Sequence, residues 1–527
     1  MTARARRSGI LVPLFSLTST RGWGIGEFLD LPPFAEWLVA AGQKVVQILP
    51  ITEIPEEETS PYSAVTAMAL DPIYIAIPAV EDFAALGGEA SLGADDRAVL
   101  DEVRRASRID YRRVRALKSR CLRQAHQHFV NSGRAHRTAR ARFESFSSAQ
   151  SWWLDDYAVF QALRKAHGRR AWWDWPTPLA ARDADALERA RDELAAEIDY
   201  RKYVQWIAAQ QWAAARERSR PIQVFGDLPF MISANSPDVW ARQDQFRLDA
   251  SVGVPPDAFS DDGQDWGLPP WRAEVMSQGD FEWMRRRATR MAELFDGFRL
   301  DHLVGFYRTY IRPFDKSTKP FFAPDNETAQ LAVGQRLVGI YQDSGAEIVA
   351  EDLGTVPDFV RKSLARLGVP GCKVVRWERD PTSPTERFLD PLDYPETSVA
   401  TTGTHDIEPL ATWWADLQPA EREQFLATPS IARDLQETGG VVDTASASLS
   451  RAVLDALLRA LLDARSWLVI LPIQDLFGWR DRINTPASVD EENWTWRMPW
   501  PVDRLQEIPE ARERGEALAS WTRDAGR

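Results

Sequence analysis

Cysteine, long apolar runs and excess positive charge are all scarce in this 527-residue sequence. Two cysteines, Cys121 and Cys372, are too few for a disulfide framework and favour a reducing compartment. No apolar run has the length of a membrane span. The 64 lysines and arginines are outnumbered by 77 acidic residues, for a net charge of −13, which argues against nucleic-acid binding. Because the basic start lacks a secretion signal, we expect a cytoplasmic protein with neither nucleic acid nor membrane as partner.

Histidine is also rare, with six residues, and no pattern of His and Cys has zinc-ligand spacing. We therefore expect no metal site. Tryptophan, in contrast, occurs 22 times. Most tryptophans are expected in the core, since they bury large areas. Some could instead form flat platforms for ligands such as sugar rings, and composition does not choose between the two.

Eight short apolar runs recur along the chain with helical patterns between them. Continuous runs without alternation are typical of strands buried on both faces of a parallel sheet. Their order predicts an α/β fold, a (β/α)8 TIM barrel. The runs are 9–13, 44–49, 222–225, 298–301, 347–350, 372–375, 398–400 and 467–471.

The uneven spacing of the runs predicts one catalytic barrel over 1–527 that carries two insertions. Residues 51–220 are far longer than a plain barrel unit and mainly helical in pattern. Residues 233–278 are predicted to form a loop insertion over the active site. Within it, 253–271 holds Trp266 and is a candidate cover that excludes water from a bound ligand, the alternative being an ordinary connecting loop.

Three acidic residues stand at strand ends: Asp301 ends the fourth run, and Glu351 and Asp406 follow the fifth and seventh runs. Active sites of parallel barrels lie at the carboxyl ends of the strands, so these side chains are expected at one site. Arg299 precedes Asp301 by two residues, which places both side chains on one face of a strand and keeps the carboxylate ionised. Glu351 follows an apolar run, which raises its pKa towards that of a general acid.

An ionised carboxylate beside a protonatable one is what glycoside cleavage requires. Two histidines, His302 and His405, stand beside Asp301 and Asp406 in the sequence. They could donate hydrogen bonds to sugar hydroxyls or only to the neighbouring aspartates, and the sequence favours neither role.

Several separate motifs in this order resemble the amylomaltase, or 4-α-glucanotransferase, family of glycoside hydrolases (family seventy-seven). The resemblance covers nearly the whole length. The motifs are WGIGE (23–27), SPY (60–62), GDLP (226–229), GVPPD (253–257), GQ (263–264) with WG (266–267), RLDH (299–302), EDLG (351–354), GTHD (403–406) and NWTWR (493–497).

The resemblance implies retaining transfer of α-1,4-glucan segments from a maltooligosaccharide donor to the 4-hydroxyl of an acceptor. It makes Asp301 the nucleophile, Glu351 the acid/base and Asp406 the carboxylate that stabilises the transition state. It implies no metal, no organic cofactor and no separate carboxy-terminal β-domain. The residues matching family positions that line the sugar subsites are Ser60, Tyr62, Asp257, Gln264, Trp266, Arg299, His302, His405 and Asn484.

Two alternatives stay open from the sequence. An α-1,4-glucan hydrolase would use the same residues. A non-catalytic glucan-binding protein could keep the scaffold, although such proteins usually lose a catalytic acid and all three acids are present here. The chain departs from the family at Leu11–Leu17, at Ala258 and at Ile407-Glu408, which bears on acceptor preference.

Overall fold

The computed structural model describes residues 5–256, 263–439, 443–486, 488 and 490–527. The strands found in these residues are β1 (Arg7–Leu11), β2 (Val45–Gln47), β3 (Gln223–Leu228), β4 (Ala250–Val254), β5 (Gln264–Asp265), β6 (Gly297–Leu300), β7 (Thr309–Pro313), β8 (Phe321–Ala323), β9 (Glu347–Ala350), β10 (Gly371–Val374), β11 (Ser398–Thr401) and β12 (Leu468–Pro472).

Eight of these strands close into a barrel in the order β1-β12-β11-β10-β9-β6-β3-β2, and each neighbouring pair is parallel. The barrel strands coincide with the eight apolar runs to within a few residues. Such runs suit this position because their side chains are buried towards the barrel interior and towards the outer helices; every residue of β12, for instance, is buried. The predicted eight-stranded parallel barrel is confirmed.

Strand β3 extends further than the sequence indicated. The apolar run ends at Phe225, but the strand continues to Leu228 through Gly226 and Asp227. Gly226 fits within the strand because the ring of Phe295 occupies the space of a side chain there: a Cβ atom would lie 2.5 Å from the ring. The glycine therefore marks a close contact, and the strand carries Asp227 into the barrel mouth.

The helices surround the barrel and fill the long segment between β2 and β3. In the described residues, no helix combines the length and the apolar character needed to cross a bilayer. The α-helices are α1 (Leu31–Ala40), α2 (Glu81–Ala85), α3 (Ala94–Arg105), α4 (Tyr111–Asn131), α5 (Arg137–Ala149), α6 (Ser151–Ala166), α7 (Thr177–Ala180), α8 (Ala184–Glu193), α9 (Ala195–Arg218), α10 (Pro237–Ala241), α11 (Ala273–Met276), α12 (Glu282–Leu294), α13 (Val304–Tyr307), α14 (Glu327–Gln342), α15 (Asp358–Leu367), α16 (Leu410–Asp416), α17 (Pro419–Leu426), α18 (Pro429–Thr438), α19 (Arg451–Asp463), α20 (Ile473–Phe477) and α21 (Pro509–Asp524).

Residues 51–220 contain helices α2 to α9. The last of these, α9, packs on α1 and on α4, α5, α6 and α8. Its Trp212 ring contacts Phe28 and Phe295, and its indole N–H donates to the carbonyl oxygen of Leu294 at the end of α12. Helix α9 therefore leads directly into β3 and links the helices of 51–220 to elements next to the barrel.

The sequence predicted a loop insertion at 233–278. The structure instead has helices and strands in this range. They are α10, α11, β4 and β5, and the two strands join β7 and β8 in an antiparallel sheet of order β5-β4-β7-β8. The sequence did not indicate this sheet because β4 pairs with β7, which comes more than fifty residues later, after β6. Residues 257–262 lie outside the described residues.

Candidate active site

The three predicted carboxylates lie at the carboxyl ends of barrel strands. Asp301 directly follows β6 and Glu351 directly follows the adjacent β9. Their backbone N–H groups still donate to the neighbouring strands, to Leu228 and Leu300 respectively, at 3.1 and 3.0 Å. The barrel ladder therefore fixes both backbones. Asp406 follows β11, which lies two strands beyond β9 in the barrel.

Arg299 is the centre of the charged cluster. Its Nη1 donates to both carboxylate oxygens of Asp227 and to Oδ1 of Asp301, each at 2.9 Å. Its Nη2 lies 3.8 Å from Oε2 of Glu351. Only 8% of the side chain is exposed, so three carboxylates compensate one buried guanidinium. The predicted contact between Arg299 and Asp301 across one strand face is present.

Glu351 combines burial with few hydrogen bonds. Its carboxylate accepts backbone N–H groups from His302 at 2.8 Å and from Leu353 at 3.0 Å. Burial raises the pKa of Glu351 to about 7; Arg299 opposes this shift, and the negative charge of Asp301 adds to it. The pKa of Glu351 is therefore raised, as the apolar run before it predicted. The nearby cation, invisible in the local sequence, is Arg299.

His302 adopts a backbone conformation that is rare for a residue with a side chain, with φ of 44°. This turn aims its N–H at Glu351 and its ring at Trp266, whose centroid lies 4.8 Å away. Gly305 allows the turn to pack closely, because a Cβ there would lie 2.8 Å from the His302 ring and 2.3 Å from Phe230. Burial lowers the pKa of His302 to about 4, so it is a neutral imidazole near neutral pH.

Asp406 lies in a different setting from Glu351. Its carboxylate contacts Nε2 of His405 at 3.0 Å and accepts from Nδ2 of Asn484 at 2.7 Å. Burial acts to raise its pKa, but His405, Asn484 and the charge of Arg299 outweigh burial and lower the pKa to about 2. Asp406 is thus a carboxylate throughout the working pH range.

Tyr62 joins the two groups of carboxylates. Its hydroxyl donates to Oδ2 of Asp227 at 2.8 Å, and its ring stacks on His405 with centroids 5.1 Å apart. Its backbone N–H donates to Oγ of Ser60 at 3.3 Å. The ring of Trp494 lies 5.8 Å from both aromatic rings. One connected set of contacts therefore runs from Asp301 through Tyr62 to Asp406.

The insertion that carries β4 and β5 contributes the remaining predicted residues. Gln264 on β5 accepts a hydrogen bond from the indole N–H of Trp266 at 3.1 Å, and Trp266 packs against His302. The predicted residue Asp257 lies outside the described residues. All other predicted site residues belong to the connected set of contacts.

Asp227, in the GDLP motif, is a further residue of the site that was not predicted from the sequence. Asp227 is fully buried and pairs in register with Arg299 across β3 and β6. Burial raises its pKa to about 6, against the opposing effect of Arg299. An acidic residue beside a glycine in a barrel strand was the available signal, and the assumed end of the strand at Phe225 concealed it.

A carboxyl group held by a guanidinium, beside a buried carboxyl group with a raised pKa at the mouth of a parallel barrel, suits nucleophilic and acid/base catalysis on one bond. Comparisons with known proteins agree with this chemistry. A family model described as 4-alpha-glucanotransferase matches residues 12–503. The chain belongs to the 4-alpha-glucanotransferase family. It is accordingly an enzyme of glycosyl transfer.

Relatives in this family match over almost their whole length. The chain is 31% identical over 534 residues to the 4-alpha-glucanotransferase of Thermus thermophilus, which covers 97% of this chain and 99% of that protein. It is 29% identical to the 4-alpha-glucanotransferase of Chlamydia pneumoniae, over 95% and 92%. Among solved structures, an amylomaltase from Streptococcus agalactiae in complex with acarbose superposes with a TM-score of 0.81 at 27% identity, covering 99% of both chains.

Proposed function

We propose that the enzyme transfers α-1,4-glucan segments by a retaining double displacement in which Asp301 is the nucleophile. The observation that carries this proposal is the pairing of Asp301, held by Arg299 at 2.9 Å, with Glu351, whose pKa is raised to about 7 by burial. Arg299 binds Oδ1 of Asp301, so we assign the attack to Oδ2. The two carboxyl groups are expected about 5 to 5.5 Å apart, the spacing of retaining enzymes.

In the first step, Asp301 attacks the anomeric carbon and the glycosidic C–O bond breaks. The departing oxygen takes the bond's electron pair and the proton of Glu351. In the second step, the Glu351 carboxylate removes the proton of an acceptor 4-hydroxyl. The acceptor oxygen then bonds to the anomeric carbon and displaces Asp301, which returns both carboxyl groups to their starting states. The two displacements together retain the α configuration.

Asp406 and its partners are proposed to bind the reacting sugar. With a pKa of about 2 the carboxylate is charged, so it can accept hydrogen bonds from sugar hydroxyls and stabilise positive charge at the anomeric carbon. His405 and Asn484 hold the carboxylate in place and can themselves donate to the sugar. We assign the lining of the other subsites to Ser60, Tyr62, Asp257, Gln264, Trp266 and His302.

The segment 253–271 is proposed to shield the glycosyl-Asp301 intermediate from water. Water is far more concentrated than any acceptor sugar, so transfer requires a positioned acceptor and a site that excludes water. Trp266 is half-buried, packs edge-on against His302 and has an oriented indole N–H. These contacts support a role as an aromatic platform for the acceptor.

Maltooligosaccharides and longer α-1,4-glucans are the proposed donors and acceptors. The names of the relatives support this substrate class, and so does the oligosaccharide analogue acarbose in the related amylomaltase structure. We propose a cytoplasmic location. Both cysteines, Cys121 and Cys372, are buried free thiols, which agrees with a reducing compartment.

Incubation with pure maltotriose, followed by chromatography of the products, tests the activity. Transfer predicts glucose together with a ladder of longer maltooligosaccharides. Glucose and maltose alone would identify a hydrolase. Binding of maltotriose without any product would identify a glucan-binding protein and reject the proposed catalysis.

A further inference from the structure

The histidines of the helical segment between β2 and β3 have no part in the proposed catalysis. Four of the six histidines in the chain lie between His126 and His167. Their spacing alone did not indicate a metal site. In the folded structure, however, two of them, His128 and His136, come together with an aspartate, Asp82, that is 46 residues before His128.

The three side chains belong to three different elements. Asp82 lies in the first turn of α2, and His128 lies in the last turn of α4. His136 ends the 3-10 turn at Gly133–His136, directly before α5. Oδ1 of Asp82 is 2.8 Å from Nδ1 of His128 and 3.6 Å from Nδ1 of His136. One ligand atom from each residue lies within 4.8 Å of the other two.

This geometry fits a tetrahedral metal ion with small adjustments. Zinc lies about 2.0 to 2.2 Å from nitrogen and oxygen ligands, so neighbouring ligand atoms are roughly 3.4 Å apart. The two distances from Asp82, 2.8 and 3.6 Å, bracket that value, and the two histidine ligand atoms lie within 4.8 Å of each other. About a quarter of each histidine side chain is exposed, whereas Asp82 is 8% exposed. The cluster is therefore accessible to an ion from solvent.

The surroundings hold the aspartate in a ligating orientation. The other oxygen of Asp82, Oδ2, accepts a hydrogen bond from the hydroxyl of Tyr203 at 2.9 Å, which leaves Oδ1 directed at the histidines. Such outer contacts typically orient metal ligands. Nδ1 of His136 is buried, and among the described residues it has no hydrogen-bond partner. A metal ion at this point would supply the missing interaction.

A neighbouring histidine provides the contrast. His126 lies on the same helix, α4, and its Nε2 is 2.8 Å from Oδ2 of Asp199. It forms a simple imidazole–carboxylate pair and is absent from the group of three ligands. Helix α4 thus carries two histidine–aspartate pairs. His128 with Asp82 has a third ligand nearby, and His126 with Asp199 has none in the group of ligands found among the described residues.

We propose that Asp82, His128 and His136 bind a divalent transition-metal ion, for which zinc is the probe because two imidazoles and one carboxylate are a known zinc ligand set. The ion would connect α2, α4 and the start of α5. Because these residues belong to the helical segment and not to the connected active-site contacts, the ion stabilises the folded chain and takes no part in glycosyl transfer. An ion that binds the folded state and not the unfolded state raises the unfolding temperature.

The experiment measures zinc bound by the untagged, chelator-treated full-length enzyme after dialysis against micromolar zinc, by elemental analysis. We expect about one zinc per chain, and a rise in unfolding temperature of roughly 2–5 °C with zinc. His136→Gln should lose both effects, since it removes a ligand without removing a hydrogen bond. His128→Gln should also lose them, and His126→Gln, the matched control, should keep them.

Three results would overturn the proposal: no zinc in the wild-type enzyme, zinc retained by His136→Gln, or equal loss in His126→Gln. Magnesium prefers all-oxygen ligands, so equal binding of magnesium would also contradict the assigned ligand chemistry. The unfolding temperature of the metal-free variants shows whether each is folded. Maltotriose transfer should be the same with and without zinc, which separates this proposal from the catalytic one.

Discussion

Glu351 and Asp406 are two carboxyl groups at the same end of one barrel, and their pKa values are shifted in opposite directions. The pKa of Glu351 is raised to about 7, and that of Asp406 is lowered to about 2. Burial acts to raise both. The difference lies in their partners: Glu351 accepts two backbone N–H groups, whereas Asp406 contacts the side chains of His405 and Asn484.

This contrast shows how the mouth of one barrel can hold one carboxyl group that is protonatable near neutral pH and another that stays charged. The loop after β11 brings polar donors to Asp406, and an additional donor comes from the segment after β12. Glu351 has only backbone N–H groups as hydrogen-bond donors, and the charges of Arg299 and Asp301 nearby act on its pKa in opposite directions. In the proposed mechanism, the charged Asp406 binds the sugar and stabilises the transition state, while the protonatable Glu351 exchanges a proton.

The largest expected effect comes from removing the nucleophile. Glu351 and Asp406 then remain, but no reaction can occur. Asp301→Asn should lower maltotriose turnover by roughly 10⁴-fold or more, because no glycosyl-enzyme can form. Transfer and hydrolysis should fall together in a product assay. A variant that still hydrolysed maltotriose at an appreciable rate would show that another group attacks the sugar.

Asp406→Asn tests the other carboxylate of the pair by removing its permanent negative charge. Turnover should fall by roughly 10²- to 10³-fold, the cost of losing one transition-state stabiliser. Asn484→Ala keeps the charge and removes one hydrogen bond, so its loss in kcat should be clearly smaller. Equal losses in the two variants would mean that the position of the carboxylate matters and its charge does not.

Asp227→Asn tests the buried carboxylate that shares Arg299 with Asp301. We expect kcat to fall roughly 10- to 100-fold, in line with the strength of charge-assisted hydrogen bonds, while KM changes little. Tyr62→Phe removes one hydrogen bond to Asp227 but keeps the ring on His405, and should lose less. An effect on KM alone would place Asp227 in substrate binding instead of in the orientation of Arg299.

Trp266→Ala should give the smallest effect on rate and a distinct effect on products. The ratio of transfer to hydrolysis should fall roughly 2- to 10-fold, because acceptor stacking is lost while Asp301 and Glu351 are untouched. Trp266→Phe retains an aromatic face and should recover most of the ratio. Lower activity with an unchanged product ratio would assign Trp266 to the support of the fold.

The sequence predicted the barrel well because its strands are buried on both faces and therefore appear as continuous apolar runs. The positions of Asp301, Glu351 and Asp406 at the barrel mouth could be predicted because the ladder fixes the strand ends. Their catalytic roles stay predictions. Asp227 was not predicted because Gly226, which packs against Phe295 inside β3, looks in the sequence like the end of the strand. Only the packed structure distinguishes these two uses of glycine.

Two further features could not be predicted because they depend on contacts between distant segments. The sheet of β4, β5, β7 and β8 forms from pieces on either side of β6. Likewise, the cluster of Asp82 with His128 and His136 joins residues whose spacing matches no metal motif. Local patterns report periodicity and burial, whereas pairing between such segments depends on the complete fold.

The central claim is that Glu351 supplies the proton for bond cleavage, and the pH dependence of the first step tests it most directly. A general acid with a pKa of about 7 is protonated below that pH, so maltotriose cleavage should be maximal below pH 7 and fall above it. Fluoride release from α-maltosyl fluoride needs no proton. In Glu351→Gln it should persist and show no alkaline decline near pH 7, while maltotriose cleavage is lost. A Glu351→Gln enzyme that cleaved maltotriose with the wild-type alkaline decline would contradict the assignment of Glu351 as the acid.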